Sequence, residues 1–284
     1  MNVDFDLMKK IFKEGGKTYY YSSMFFPKDI RRDVSILYSF VRKADDFVDD
    51  IPQKTDKFYG FKNDYEEALS SEQISGNEVI DAFIDLMDRQ GFEEEWVDAF
   101  LHSMELDIVK SEYETLDGLK EYLYGSAEVI GLMMAKILDL PEESHRPARH
   151  LGRAMQYANF IRDIEEDIDL DRQYFPKEDL ERYNLESLKL SDARNKEERF
   201  SKFIEEQVSR YDDWQEIAEG GFIFIPKRYL IPIKTASDMY KWTVRGIRRR
   251  PFIVYDEKLK PSKTRIVMKG LLNVFHPKKV TGGL

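Results

Sequence analysis

The chain has 284 residues, 42% hydrophobic and 13% aromatic, enough to bury a large core and too apolar for a disordered protein. It has no cysteine, which excludes disulfides, thiolate metal sites and cysteine nucleophiles and suits a reducing cytoplasm. The net charge of −10 is unevenly divided: residues 241–284 hold twelve Lys/Arg against two acids, +10, so residues 1–240 carry −20. That acidic bulk would repel nucleic acid, so no such partner is expected. The basic C-terminal segment 241–284 is either a solvated tail or a contact for ligand phosphates or anionic lipid headgroups, the last placing the protein at a membrane periphery. No apolar region opens residues 1–15 and no run of about 18 apolar residues occurs, so neither a signal peptide nor a membrane span is expected.

In chain order, residues 4–13 read as a short helix, followed by a flexible turn, Gly15-Gly16-Lys17-Thr18, and three tyrosines. That turn lacks the spacing of a phosphate-binding P-loop and no strand precedes it. A helix over 27–50 ends in Tyr38-Ser-Phe-Val-Arg42-Lys-Ala-Asp45-Asp46-Phe-Val-Asp49-Asp50. Tyr38, Arg42, Asp45 and Asp49 share one face; Asp46 and Asp50 repeat the spacing one residue along. Acids at a helix C-terminus oppose its dipole, which invites a bound cation.

Pro52–Gly60 reads as a loop, and 61–70, 77–90 and 93–114 as helices. Gly118–Leu140 is a longer apolar helix containing Tyr124 and a stripe of Ala127, Gly131 and Ala135, which serves either close helix packing or space for a ligand. After a connection over Pro141–Arg149, a helix over about 148–170 carries six acids within 163–171, with Ala158, Phe160, Ile161, Ile164 and Ile168 at helical steps. Gln156, Asn159, Asp163 and Asp167 fall near one line along it, and such polar groups are costly to aim at a dry core. Arg172–Asn184 is expected to be a loop and 185–197 a turn-prone stretch. Helices follow at 198–219 and 228–250, then an amphipathic segment at about 263–275. No linker divides the chain, so one all-α domain is expected.

With 54 acids in 284 residues, about ten i,i+4 acid pairs arise by chance, most of them solvated helix faces. Two features distinguish these: each lies on a helix whose other faces are apolar, and each has an arginine just before it, Arg42 and Arg162. Two carboxylate pairs on facing helices suit hard divalent ions, and Mg²⁺ favours few carboxylates, several waters and phosphate oxygens. Arginines beside them suit a diphosphate, whose departing charge the metal would neutralise. An apolar cavity would then keep a carbocation from water.

The segment from Tyr38 to Asp49, together with Gln156-Tyr-Ala-Asn159-Phe-Ile-Arg162-Asp163-Ile-Glu-Glu-Asp167 and Asp171-Arg172-Gln-Tyr174-Phe-Pro176, resembles the squalene/phytoene synthase family over roughly Lys17 to Arg265. The resemblance implies an all-α isoprenoid-synthase fold, a helical bundle with a central cavity between two Asp-rich helices. It implies a prenyltransferase that condenses two prenyl diphosphates, farnesyl or geranylgeranyl, head to head through a cyclopropyl diphosphate. It places Asp45, Asp49, Asp163 and Asp167 on Mg²⁺ (or Mn²⁺), with Asp46 as a helper, and Lys17, Arg42, Arg162, Arg172 and Tyr174 on diphosphate. Gln156 and Asn159 become polar wall groups, and Tyr38, Tyr124 and Tyr240 aromatic groups near cationic carbons. NADPH is implied only if the product is squalene.

The chain departs from the family at Ser126-Ala127-Glu128, where many members have Val-Ala-Gly, which makes Glu128 a residue expected to shape the cavity wall. Gly16 stands where serine is frequent. Lys263 and Arg265 resemble a basic segment that closes over phosphate, and the C-terminal anchor of eukaryotic squalene synthases is not expected here. Head-to-tail elongation, terpene cyclisation and a non-catalytic assembly protein are the rival readings; retention of all four metal aspartates speaks against the last.

Overall fold

The computed structural model describes residues 5–71 and 73–275, so the end of the basic segment, 276–284, lies outside the described residues. Among these residues there is no strand, only an isolated bridge between Glu112 and Gln173. Helix α1 (Phe5–Gly15) and helix α2 (Lys17–Ser23) are separated by Gly16 alone. The expected flexible turn is therefore a one-residue break, and Lys17 opens a helix. Helix α3 (Lys28–Asp49) starts after Pro27 and stops at the extended Asp50, two residues before Pro52. It buries Ile30, Val34, Leu37, Phe40, Ala44 and Val48 along one stripe.

Helix α4 (Thr55–Ser71) begins well inside the stretch expected as a loop. Helices α5 (Glu78–Gln90) and α6 (Glu94–Val109) follow, α5 capped by the Asn77 side chain on the Val79 amide. The expected long helix is divided into α7 (Leu116–Leu123), a π-helical turn (Tyr124–Glu128) and α8 (Val129–Ile137). The acid-bearing helix is also broken: α9 (His145–Arg162) ends and α10 (Ile164–Asp169) restarts at Asp163, whose φ of −102° and ψ of 18° leave the helical well.

The remaining elements are α11 (Lys177–Arg182) and α12 (Leu190–Asn195), both expected as irregular, then α13 (Glu197–Gly220), α14 (Lys227–Arg249), α15 (Ile253–Asp256) and α16 (Lys263–Phe275). Among the described residues no helix is long and apolar enough to cross a membrane.

Two apolar cores result. One gathers α1, α3, α4, α5, α6 and α8, with Phe40 stacked on Phe83 at 3.8 Å. The other gathers α7, α9, α13 and α14, with Phe160 stacked on Tyr174 at 4.0 Å. Tyr19 of α2 touches both. Close packing of α8 on α9 depends on Gly131, where a Cβ would come within 2.3 Å of the Ala148 carbonyl oxygen. The small-residue stripe thus serves helix packing, and it also borders the cavity described next.

Candidate active site

A cavity of about 830 Å³ lies between the two cores, at the upper end of the usual range for ligand pockets. Its lining changes character along each helix. On α3 it runs from Val34 and Leu37 through Tyr38 to Arg42, Asp45 and Asp49, about 22 Å at the helical rise. On α9 it runs from Pro147 and Ala148 to Gln156, Asn159, Arg162 and Asp163, then to Asp167 on α10. The apolar and acidic ends of these helices coincide, so the cavity is greasy at one end and charged at the other.

At the charged end each aspartate-bearing helix has its own arginine. The Arg42 guanidinium donates to Asp45 at 2.8 Å and bridges Asp46 at 2.6 Å. Arg162 donates to both oxygens of Asp163 at 2.7 and 2.5 Å. Arg172 donates to Asp49 at 2.7 Å and to the Val48 carbonyl oxygen at 2.6 Å, joining the end of α3 to the chain just after α10. Its Nε is buried and makes no hydrogen bond. Lys17, Lys258 and Lys260 also border the cavity.

The carboxyls are crowded. Burial, reinforced by the neighbouring Asp49, pushes Asp45 up to about 8 even though Arg42 opposes the shift. A third of the Asp45 side chain is open, but it opens into the cavity and not into bulk solvent. Burial, and next the Asp163 charge, raises Asp167 well above the usual carboxylate range. Among the described residues Asp167 makes no ion pair. Asp163 is also bridged by Lys258 at 3.2 Å, and Lys258 reaches Glu166 as well.

Gln156 accepts from the Asn159 amide at 3.2 Å, which leaves the buried Asn159 Oδ1 without a partner. The aromatic wall is joined through Tyr19: Tyr240 donates to its hydroxyl at 2.7 Å, and Tyr38 lies 6.5 Å away, ring to ring. Gly16 is needed beside this wall, because a Cβ there would stand 2.6 Å from the Tyr38 hydroxyl.

The cavity thus gathers Lys17, Tyr38, Arg42, Asp45, Asp49, Gln156, Asn159, Arg162, Asp163, Asp167, Arg172, Tyr174 and Tyr240. Three expectations need correction. Asp46 does not border the cavity; it faces outward, half exposed, on Arg42. Tyr124 does not border the cavity, although Tyr122, Ser126 and Ala127 around it do; it faces the outer side, with Arg149 over its ring at 5.2 Å. Glu128 shares that outer side and is fully buried between Arg149 (2.8 Å) and Arg153 (2.5 Å), so it does not shape the cavity wall. Ala127 and Gly131 of the same segment do line the cavity; the π-helical turn over Tyr124–Glu128, whose residues turn less per step than in an α-helix, leaves Tyr124 and Glu128 on the side of Arg149 and Arg153.

Asp107 of α6 escaped the sequence analysis. It lines the cavity and accepts from the hydroxyls of Tyr122 (2.7 Å) and Tyr174 (2.9 Å). Burial pushes its carboxyl up to about 6 against the pull of Arg172. The signal that could have found it is a single acid between Leu106 and Ile108 on a mostly apolar helix. Lys258 and Lys260 were visible only as part of a basic segment. Here they fold back onto the cavity, and burial lowers Lys260 to about 8.

The donor set is all oxygen, as a hard divalent ion requires, and the orphaned Asn159 Oδ1 adds an acceptor. Among the described residues no three acidic or imidazole side chains converge on one point. An ion here would complete its coordination with water and with oxygens of a bound anion, the environment Mg²⁺ prefers.

The comparisons with known proteins agree with this geometry. A profile described as squalene/phytoene synthase matches residues 12–265. The 15-cis-phytoene synthase of Enterobacter agglomerans is 29% identical over 243 residues, 80% of each chain. That of Synechocystis sp. is 25% identical over 275 residues, 89% of this chain and 79% of the relative. The crystal structure of a dehydrosqualene synthase in complex with ligand superposes with a TM-score of 0.83 at 22% identity, over 96% of both chains.

Proposed function

The chain belongs to the squalene/phytoene synthase family and is a prenyltransferase that condenses prenyl diphosphates head to head; we propose that it does so with Mg²⁺, through a cyclopropyl diphosphate. The observation that carries this reading is one long cavity with two arginine-flanked aspartate pairs at one end and an apolar lining at the other. Asp45, Asp49, Asp163 and Asp167 would hold the metal, Mg²⁺ or Mn²⁺, which when bound neutralises charge on a departing diphosphate. Arg42, Arg162, Arg172 and Lys17 bind and orient the diphosphates by charge-assisted hydrogen bonds. The apolar end takes the two prenyl chains and its apolar lining shields the cation from water.

In the first half-reaction the C1–O bond of one substrate breaks and diphosphate departs. The allylic cation then adds across the C2–C3 double bond of the second substrate, and loss of a proton closes the cyclopropane. In the second, the cyclopropyl diphosphate ionises and rearranges. Proton loss gives phytoene or dehydrosqualene; hydride from NADPH gives squalene. The rings of Tyr38 and Tyr240, held together through Tyr19, offer π faces to the cationic carbons.

The test is incubation of purified protein with Mg²⁺ and farnesyl or geranylgeranyl diphosphate, with and without NADPH, followed by identification of the hydrocarbon. A C30 or C40 product that disappears on chelation is expected. The absence of either product under all conditions would overturn the reading.

A second check needs no substrate. Asp45 near 8 and Asp107 near 6 lie above the roughly 3.9 of an unfolded aspartate. Acids so raised bind protons on folding, so the metal-free protein loses stability as pH rises from about 4 to about 8. A divalent ion held by Asp45 needs that carboxyl ionised and should therefore raise Tm more at pH 8 than at pH 5.5. Scanning fluorimetry with and without Mg²⁺ measures this; a shift no larger at pH 8 would argue against a metal among these groups.

A further inference from the structure

Helix α16 is fastened along one side and bare along the other. Ile266, Gly270 and Asn273 are buried. Asn273 donates to Thr235 (3.1 Å) and Asp238 (3.2 Å) of α14, and Gly270 sits against the Phe25 ring just after α2. With that side fixed, Met268, Leu271, Leu272 and Phe275 form an outward stripe at helical spacing, 54, 44, 53 and 76% exposed. Met24, beside Phe25, is half exposed as well. No described element covers this stripe.

Helix α16 itself carries three cations and no acid, and one of the three, Lys269, is paired with Asp238 of α14 on the fastened side. Residues 258–284 contain seven Lys/Arg and no acid, in a chain whose net charge is −10. On α16, Lys263 lies 5.0 Å from the Tyr21 ring and Arg265 4.4 Å from the Trp242 ring, so both cations flank the stripe near its start. An apolar stripe flanked by cations is the signature of a helix lying in the interface of an anionic bilayer. A second copy of this chain fits less well. Pairing of two stripes would bring Lys263 and Arg265 to a second copy of α16, which has no acid to meet them.

We propose that α16 docks the protein on an anionic lipid surface, inserting Met268, Leu271, Leu272 and Phe275 among the acyl chains while Lys263 and Arg265 meet the headgroups. Lys260 and Pro261, immediately before α16, border the cavity. Docking therefore brings a bilayer beside the cavity wall, where a hydrocarbon could leave without crossing water. That last step rests on the proposed reaction; the docking does not.

The test is flotation of the full chain with vesicles of phosphatidylcholine alone or with 30% phosphatidylglycerol, at about 0.1 and 0.5 M salt. The wild type should bind the anionic vesicles at least tenfold more tightly than neutral ones, with loss at high salt. Leu272→Gln/Phe275→Gln should weaken anionic binding at least tenfold with unchanged Tm. Phe275→Trp should show a blue-shifted emission on vesicle addition that brominated lipid quenches. Equal binding by the double variant, no binding by the wild type, or a wild-type dimer that the double variant dissolves would each overturn the proposal, whatever the outcome of the product assay.

Discussion

Asp167→Asn is expected to lower turnover by about 100- to 1,000-fold while leaving Tm unchanged or raising it. Asp167 borders the charged end of the cavity and makes no ion pair among the described residues. Its carboxyl is raised by burial and by Asp163, so keeping it ionised at neutral pH disfavours folding; the sign is that of an acid whose folded pKa exceeds its unfolded one. Asparagine keeps the shape and removes that charge. The other three aspartates are less clean tests, because Asp45, Asp49 and Asp163 each hold an arginine, and losing a carboxylate partner of a buried arginine carries its own penalty. The comparison requires steady-state kinetics at saturating Mg²⁺ beside a melting curve. A marked fall in Tm with activity retained would mean that Asp167 supports the fold and not the reaction.

Glu128→Ala should do the reverse, lowering stability by about 3–5 kcal/mol with little effect on turnover per folded molecule. The Glu128 side chain is 1% exposed and Arg153 only 14%, so truncation strands a nearly buried guanidinium. Arg149, at 43% exposure, remains hydrated and adds little to the loss. For a chain of this size the expected fall in Tm is roughly 6–20 °C. Glu128→Gln, which keeps hydrogen-bonding atoms beside both arginines, should fall between. If Glu128→Ala kept its Tm but changed the product, Glu128 would be shaping the cavity after all, against its position outside the lining.

These two residues show what was legible in the sequence. Helical period and the spacing of the aspartates located α3, α9 and the arginines beside them, because those signals are local. The resemblance, drawn over roughly Lys17 to Arg265, covers nearly the same stretch as the family match. The break at Asp163 was not legible: one residue leaves the helical well, and neither glycine nor proline marks it. Tyr124 was placed by the family motif, and counting helical steps would not have moved it, because three and seven residues on it meets Ala127 and Gly131, which do line the cavity; the π-helical turn that directs it away carries no local signal. Asp107 and Lys258 depend on tertiary placement. Asp107 matters through tyrosines 15 and 67 residues away, and Lys258 reaches Glu166 across 92 residues.

The hydroxyl of Tyr240 meets that of Tyr19 across 221 residues, and α2 packs on both α14 and α16. On a ribosome adding about 5–20 residues per second, Tyr19 waits roughly 10–45 s for its partner to be made. Throughout that interval the aromatic side of the chamber has no counterpart, so the nascent chain exposes apolar surface that only the last helices cover. The C-terminal quarter is thus a late-arriving wall of the chamber, and a ribosome stalled before α14 would leave an open trough prone to aggregation.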